Sequence, residues 1–192
     1  MSTELPAAPF SRAPLPYESL LDQRALDQVD LVVMHCTELP DLATAREFGE
    51  RTLYPSGTGN SGHFYIDRDG SAHCYVHPDR VANHTRGYNP RSIGIELCNR
   101  GRFPDWLDSR HQEMAQAYSP AQLQSLLHLL AWLRSELPRL RFIAGHEDLD
   151  RARVPASDDP ALLVFRKRDP GPLFPWGAVL AASKLERLPA GE

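Results

Sequence analysis

Two histidines stand at the ends of short apolar segments, where they could share one metal ion. His35 follows the run Leu-Val-Val-Met, and His146 follows Arg-Phe-Ile-Ala-Gly. Such runs are typical of strands buried in a sheet, and two strands lying side by side would bring the rings together. Zinc binds imidazole nitrogen and carboxylate oxygen, and catalytic sites usually combine three protein ligands with one water. The pair therefore predicts a zinc site that needs a third ligand.

The third ligand is expected among the acids that follow His146. Five aspartates are available there: Asp148, Asp150, Asp158, Asp159 and Asp169. Ligand chemistry alone does not choose among them. Asp169 stands out by its setting, Lys-Arg-Asp-Pro-Gly-Pro, because in an extended segment alternation would point Lys167 and Asp169 the same way. An ammonium and a carboxylate would then face one site.

Between the two histidines the sequence predicts a hairpin and a further strand. Residues 63–66 and 72–76 are strand-like and flank the turn sequence Asp-Arg-Asp-Gly. Residues 92–97, Ser-Ile-Gly-Ile-Glu-Leu, form another apolar strand. Its one acid, Glu96, is unusual in such a segment and is a candidate for chemistry.

Two helices complete the predicted elements. One covers residues 41–53. The other begins at Ser119, where Pro120 suits the first turn and Gln122 completes a capping box, and it ends before Pro138. An apolar stripe at helical spacing follows the cap, formed by Leu123, Leu126, Leu127, Leu130 and Leu133. Strands interleaved with helices predict an α/β domain with a central mixed β-sheet flanked by helices.

Length and composition bound the organisation of the chain. The 192 residues fit a single domain, and 42% hydrophobic with 24% charged residues is ordinary for a globular protein. The formal charge of -4 and the scattered basic residues exclude a nucleic-acid surface as the expected partner. We predict a Pro-rich N-terminal arm at 1–28, lying over the domain or forming a mobile leader, the main domain at 29–185, and a tail at 186–192.

The N-terminus and the cysteines predict a cytoplasmic protein. The first residues include acids and prolines where an export signal would need a basic start and an apolar stretch. The three cysteines cannot all pair and lack the close spacing of a cysteine zinc cluster. We expect no membrane span and no obligatory protein partner.

Several motifs occur in the order found in one enzyme family. They are residues 33–37, 62–64, 68–70, 83–89, 92–97, 145–148 and 167–172. Together they resemble the N-acetylmuramoyl-L-alanine amidases, which share a fold with peptidoglycan recognition proteins and phage lysozyme amidases. The similarity runs from about residue 30 to 177, and the AmpD-type amidases of peptidoglycan recycling are the most similar type. The resemblance implies cleavage of the amide bond between muramic acid, preferentially its anhydro form, and L-alanine in a muropeptide.

The resemblance also implies a role for seven residues. The zinc ligands would be His35, His146 and Asp169. Glu96 would be the catalytic acid and Lys167 the oxyanion-stabilising lysine, while His84 and Arg86 would bind the substrate. One zinc ion is the implied cofactor.

The sequence departs from the family pattern at two places. Gly62 occupies a position where some relatives have an active-site tyrosine, and we do not transfer that role to Tyr65. The stretch 151–166 is an insertion between the last histidine and the final aspartate. Two alternatives remain open: a phage-type lysin that attacks intact peptidoglycan, and a non-catalytic peptidoglycan-binding module.

Overall fold

The structure, a computed structural model, describes residues 7–188 and is built around a seven-stranded sheet. Its strands are β1 (Ser11–Arg12), β2 (Leu31–Cys36), β3 (Phe64–Ile66), β4 (Ala72–Cys74), β5 (Ser92–Leu97), β6 (Phe142–Gly145) and β9 (Glu186–Arg187), and their order is β1-β4-β3-β5-β2-β6-β9. Only the β3–β4 pair is antiparallel among these neighbours. The predicted α/β class with a mixed central sheet is confirmed.

Four α-helices accompany the sheet in residues 7–188. They are α1 (Leu42–Glu50), α2 (Pro120–Glu136), α3 (His146–Leu149) and α4 (Trp176–Ser183). The capping box at the start of α2 is present as predicted. Helix α1 ends three residues earlier than expected, because the backbone N–H groups of Leu53 and Tyr54 turn to the Thr58 carbonyl. None of these helices is long and apolar enough to cross a bilayer.

One face of the sheet packs against α2 and the other carries candidate site residues, because side chains alternate along β2 and β5. Even-numbered residues of β2 and odd-numbered residues of β5 pack with the leucines of α2: Val32, Met34, Cys36, Ile93, Ile95 and Leu97. Successive strand residues point to opposite faces. His35 and Glu96, which are direct register partners, therefore lie together on the face away from α2.

The N-terminal segment is part of the sheet and the core, whereas we predicted an arm over the domain or a mobile leader. β1 pairs with β4, and the N–H of Leu15 donates to the Tyr75 carbonyl. Leu15 and Tyr17 are buried, and the Tyr17 hydroxyl donates to the Gly49 carbonyl. A two-residue strand among prolines has too few positions for alternation to reveal it. Residues 1–6 of the predicted arm lie outside the described residues.

The C-terminal end and the insertion also form strands. In the predicted tail, β9 pairs with β6, while residues 189–192 lie outside the described part of the chain. The inserted stretch folds as a separate antiparallel hairpin of β7 (Arg153–Pro155) and β8 (Leu163–Phe165). Its second strand leads directly into the segment that contains Lys167 and Asp169.

Candidate metal centre and active site

His35 and His146 meet because their strands are adjacent and parallel. His35 is the fifth residue of β2, and His146 directly follows β6. Met34 is in register with Gly145, so both rings emerge at the same edge of the sheet. Their centroids are 4.6 Å apart. The predicted juxtaposition of the two strands is confirmed, although His146 begins the short helix α3 instead of standing in a loop.

Asp169 joins the two histidines. Its Oδ2 lies 2.9 Å from His35 Nδ1 and 3.1 Å from His146 Nδ1. All three residues are buried, and each offers one ligand atom within 4.8 Å of the others. Asp169 Oδ1 is buried and has no hydrogen-bond partner among the described residues. Two imidazoles and a carboxylate whose second oxygen is buried without a partner fit a zinc ion.

The protonation states of the cluster also suit a metal. Burial, and after it His146, lower the pKa of His35 to about 4. Burial by itself would raise the pKa of Asp169, but His146 and His35 outweigh it and hold the pKa well below its usual value. At neutral pH His35 is therefore neutral and Asp169 ionised, as ligands must be.

The other four candidate aspartates have different partners. Asp148 pairs with Arg187, Asp150 with Arg166, Asp158 accepts from Ser109, and Asp159 accepts from the Ala161 N–H. None of them belongs to the cluster of His35, His146 and Asp169 in the described chain. The geometry thus singles out Asp169, which the residue types alone did not.

Glu96 faces this cluster from β5. Its Oε1 is 3.9 Å from His35 Nδ1. Burial, and after it the charge of Asp169, raise the pKa of Glu96 to about 8, although Lys167 acts to lower it. A Cβ atom on Gly62 would come 2.8 Å from Glu96 Cγ, so the glycine leaves room for the acid. A carboxyl group with a pKa near neutral pH is suited to accept and return a proton.

Tyr65 lies next to Glu96 without taking its place. The two residues are register partners in β3 and β5, and both line the cavity. The Tyr65 hydroxyl accepts from the Gly62 N–H and lies 3.1 Å from Ser61 Oγ. Burial raises the pKa of Tyr65 above its ordinary value. The phenol is thus a hydrogen-bonded wall of the site.

The cluster opens into a cavity of about 740 Å³ with a basic rim. Lys167 and Asp169 both line it, as the alternation in their segment predicts. Arg51, Arg86 and Arg166 line it as well, and Arg166 forms an ion pair with Asp150. Lys167 is half-buried, whereas Arg86 is exposed. Basic side chains in the cavity lining therefore outnumber its acids, which are Glu38, Glu96 and Asp169.

His84 contacts a metal-ligand candidate directly, a contact that the sequence did not indicate. Its Nδ1 lies 3.1 Å from His35 Nε2. The ring is packed against Gly94, where a Cβ atom would come 2.7 Å from His84 Cγ. Burial and then His35 lower the pKa of His84 well below its ordinary value, so the ring is neutral. His84 also lines the cavity.

A buried ion pair beside the cavity was not predicted from the sequence. Arg102 Nε donates to Glu38 Oε1 at 2.6 Å, and Arg102 also donates to the Phe165 carbonyl at 2.9 Å. Glu38 follows β2 and has a φ of 48°, in the left-handed region. The pair thus ties the end of β2 to the base of the inserted hairpin. No motif marks it, since the two partners are distant in sequence.

Comparison with known proteins gives a consistent family. A family profile described as N-acetylmuramoyl-L-alanine amidase matches residues 25–172. The endolysin of Klebsiella phage KP32 is 31% identical over 90 residues, which are 47% of this chain and 55% of the endolysin. The amidase AmiD of Escherichia coli K12 is 38% identical over 88 residues, which are 46% of this chain and 26% of AmiD. In both cases the aligned region spans less than two thirds of the relative's own length.

Solved structures agree on the fold. The crystal structure of a selenomethionine AmpD derivative superimposes with a TM-score of 0.64 at 26% identity, covering 92% of this chain and 95% of AmpD. The complex of E. coli AmiD with the substrate anhydro-N-acetylmuramic acid-L-Ala-D-γ-Glu-L-Lys gives a TM-score of 0.63 at 23% identity, covering 88% of this chain and 63% of AmiD.

Proposed function

The chain belongs to the N-acetylmuramoyl-L-alanine amidase family, and from this premise we propose that it hydrolyses the amide bond between anhydro-N-acetylmuramic acid and L-alanine in soluble peptidoglycan fragments. One observation carries the proposal. Glu96 and Lys167 line the same cavity as the cluster of His35, His146 and Asp169. A metal-ligand set, a proton carrier and a cation in one cavity are the parts that metal-assisted amide hydrolysis needs.

The metal is proposed to be a single zinc ion held by His35, His146 and Asp169. The support is the donor set itself, together with the unpaired Asp169 Oδ1. When bound, zinc supplies Lewis acidity and lowers the pKa of water toward about 7.

Glu96 is proposed to carry the proton and Lys167 to stabilise the transition state. Glu96 accepts a proton from the attacking water and returns it to the L-alanine nitrogen as the C–N bond breaks, because an amine leaves far more easily than an amide anion. Lys167 lines the cavity, where its ammonium would stabilise negative charge that develops on the carbonyl oxygen. Both groups would therefore interact more strongly with the transition state than with the bound substrate.

The basic rim supports an acidic peptide as substrate. Peptide stems of muropeptides carry carboxylates, and Arg86 is proposed to bind one of them. The cavity volume lies within the range of about 300–1,000 Å³ that is usual for small-molecule sites. AmiD, which has the same fold, was crystallised with an anhydro-muropeptide. We place the reaction in the recycling of such fragments in the cytoplasm.

A second candidate function is a phage-type lysin, favoured by the similarity to the KP32 endolysin. Such an enzyme would attack intact peptidoglycan. It would use the same residues, so the substrate alone distinguishes it from the recycling amidase.

The test measures release of the L-alanyl peptide by zinc-loaded protein from an anhydro-muropeptide and from whole sacculi. We expect faster cleavage of the soluble fragment and loss of activity on chelation. Chelator-insensitive turnover would contradict the zinc mechanism, and a preference for sacculi would assign the lysin function. A zinc-loaded protein that binds the fragment without cleaving it would indicate a recognition module.

The matched variants are Glu96→Gln and Glu147→Gln. Glu96→Gln should lower kcat by about 10²–10⁴-fold with zinc content unchanged, since it removes the proton carrier. Glu147 is also a partly buried acid near Asp169, with a pKa that burial raises to about 7, but it does not line the cavity. Equal losses of kcat in Glu96→Gln and Glu147→Gln would argue against a specific role for Glu96.

A further inference from the structure

A chain of hydrogen bonds runs from His35 to a backbone carbonyl on the side away from Asp169. His35 Nε2 lies 3.1 Å from His84 Nδ1, and His84 Nε2 lies 3.2 Å from Ser92 Oγ. Ser92 Oγ in turn donates to the Tyr88 carbonyl at 2.7 Å. Four groups from three segments are therefore linked in one line.

The two ends of this chain set the direction of its bonds. The Tyr88 carbonyl oxygen can only accept, so the Ser92 hydroxyl uses its one proton there. Ser92 Oγ is then an acceptor, so His84 Nε2 must carry a proton and donate to it. At the other end, a metal ion bound at His35 Nδ1 would leave the proton of that ring on Nε2, from which it would be donated to His84 Nδ1. All the bonds would then run in one direction, from His35 to the Tyr88 carbonyl.

We propose that His84 and Ser92 are positioning residues that hold His35 in the Nε2–H tautomer and thereby keep Nδ1 free to bind the metal ion. The inference rests on the proposed metal site, because Nδ1 is the atom that faces Asp169 Oδ2 at 2.9 Å. Without a metal ion the ionised Asp169 can only accept at this contact, which favours a proton on Nδ1 and competes with the His84 contact for the tautomer of His35. By favouring the proton on Nε2, the His84 contact favours metal binding. An outer hydrogen bond of this kind is a general means of orienting a ligand histidine.

The surroundings of His84 hold it in place for this role. Thr85 Oγ1 lies 3.0 Å from His84 Nδ1 and 3.3 Å from His35 Nε2, so it can accept from His35 and donate to His84 with the same tautomers. Asn89 Oδ1 accepts from the backbone N–H groups of both His84 and Thr85. Gly94 provides the flat surface against which the His84 ring packs.

The tautomers can be read directly by two-bond ¹⁵N–¹H NMR correlation of the histidine rings, in metal-free and zinc-loaded protein. We expect the Nε2–H form for His84 in both states and for His35 in the zinc-loaded state. Ser92→Ala should convert His84 to a mixture of tautomers. A wild-type His84 with its proton on Nδ1 overturns the proposal. The measurement needs no turnover, so it stands apart from the success of the proposed amidase function.

Metal affinity tests the consequence. Competition with a chromophoric chelator should give a zinc Kd for His84→Leu that is raised about 10–100-fold, as is typical when the outer partner of a ligand is lost. His84→Asn places an acceptor oxygen near the Nδ1 position and should recover most of the affinity. His128→Leu, on the exposed face of α2, is the control and should bind zinc as the wild type does.

Either of two results would overturn the inference in variants that keep the wild-type circular dichroism spectrum. One is a wild-type zinc Kd for His84→Leu. The other is an equal loss for His84→Leu and His84→Asn, which would mean that the ring acts by packing alone.

Discussion

Glu96 and Asp169 are two buried carboxyl groups whose pKa values are shifted in opposite directions. Two imidazoles hold the pKa of Asp169 low, whereas burial and the nearby charge of Asp169 raise that of Glu96 to about 8. Two acids whose pKa values are shifted apart in this way take different roles, because one stays ionised while the other can gain and lose a proton near neutral pH. The contrast supports Asp169 as a ligand and Glu96 as the proton carrier.

The raised pKa of Glu96 predicts how the metal-free protein responds to pH. The folded-state pKa of about 8 exceeds the ordinary 4.5, so the contribution of Glu96 to stability is full below about 4.5 and is lost as pH rises through about 8. Glu96→Gln should therefore gain stability relative to the wild type between pH 6 and 9. Urea unfolding in the presence of chelator measures the difference in free energy.

Asp41 provides a control of opposite sign. The Thr44 N–H lowers the pKa of Asp41 below 3.8, so the difference between Asp41→Asn and wild type should be constant over the same range. If the difference in unfolding free energy between Glu96→Gln and the wild type were also independent of pH, the buried environment assigned to Glu96 would be contradicted.

Individual site residues could be predicted where residue type and chain order were informative. The two histidines follow recognisable strands, and Asp169 has a distinctive setting, so the sequence pointed to the cluster that the structure assembles. The roles assigned to Glu96, Lys167, His84 and Arg86 stay predictions. The contact of His84 with His35 and the pairing of Glu38 with Arg102 could not be predicted, since each joins residues whose proximity depends on the completed fold.

At the scale of elements, the parallel arrangement of β5, β2 and β6 places the site. The register brings Glu96 beside His35, and β6 delivers His146 to the same edge. These strands were predictable because each is a continuous apolar run of a length typical of a buried strand. β1 and β9 were not, since each has two residues and is stabilised by the edge it pairs with.

The Glu38–Arg102 pair gives a prediction at this scale. Its side chains are 9% and 1% exposed, so Arg102→Leu would leave a buried carboxylate without its partner. We expect the free energy of unfolding to fall by about 3–5 kcal/mol. Because Arg102 also holds the Phe165 carbonyl at the base of the hairpin, kcat should fall as well. Denaturant unfolding and steady-state kinetics measure the two effects.

The exposed ion pair of Arg141 and Glu186 is the matched control. Its side chains are 63% and 59% exposed, and Arg141→Leu should change stability by less than about 1 kcal/mol. Similar losses of unfolding free energy in Arg102→Leu and Arg141→Leu would show that burial is not what makes the Arg102 pair important.

For the whole molecule, the metal ligands come from distant parts of the chain, so a bound ion would link β2 to the segment after the hairpin. Zinc at about 100 times its Kd should stabilise the fold by about 2.7 kcal/mol, which raises Tm by roughly 5–10 °C for a chain of this size. Differential scanning calorimetry with zinc and with chelator measures the shift. His146→Ala should abolish it, and an equal shift in that variant would place the ion elsewhere.

The inserted hairpin gives the molecule a natural division point. A break between Asp159 and Pro160, at its exposed tip, leaves both imidazoles and Glu96 on the longer fragment and Lys167 with Asp169 on the shorter one. Pairing of β9 with β6 and the contact of α4 with α2 provide a docking surface for the shorter fragment. Neither piece holds the complete candidate site, so the proposed turnover would report reassembly of the two halves.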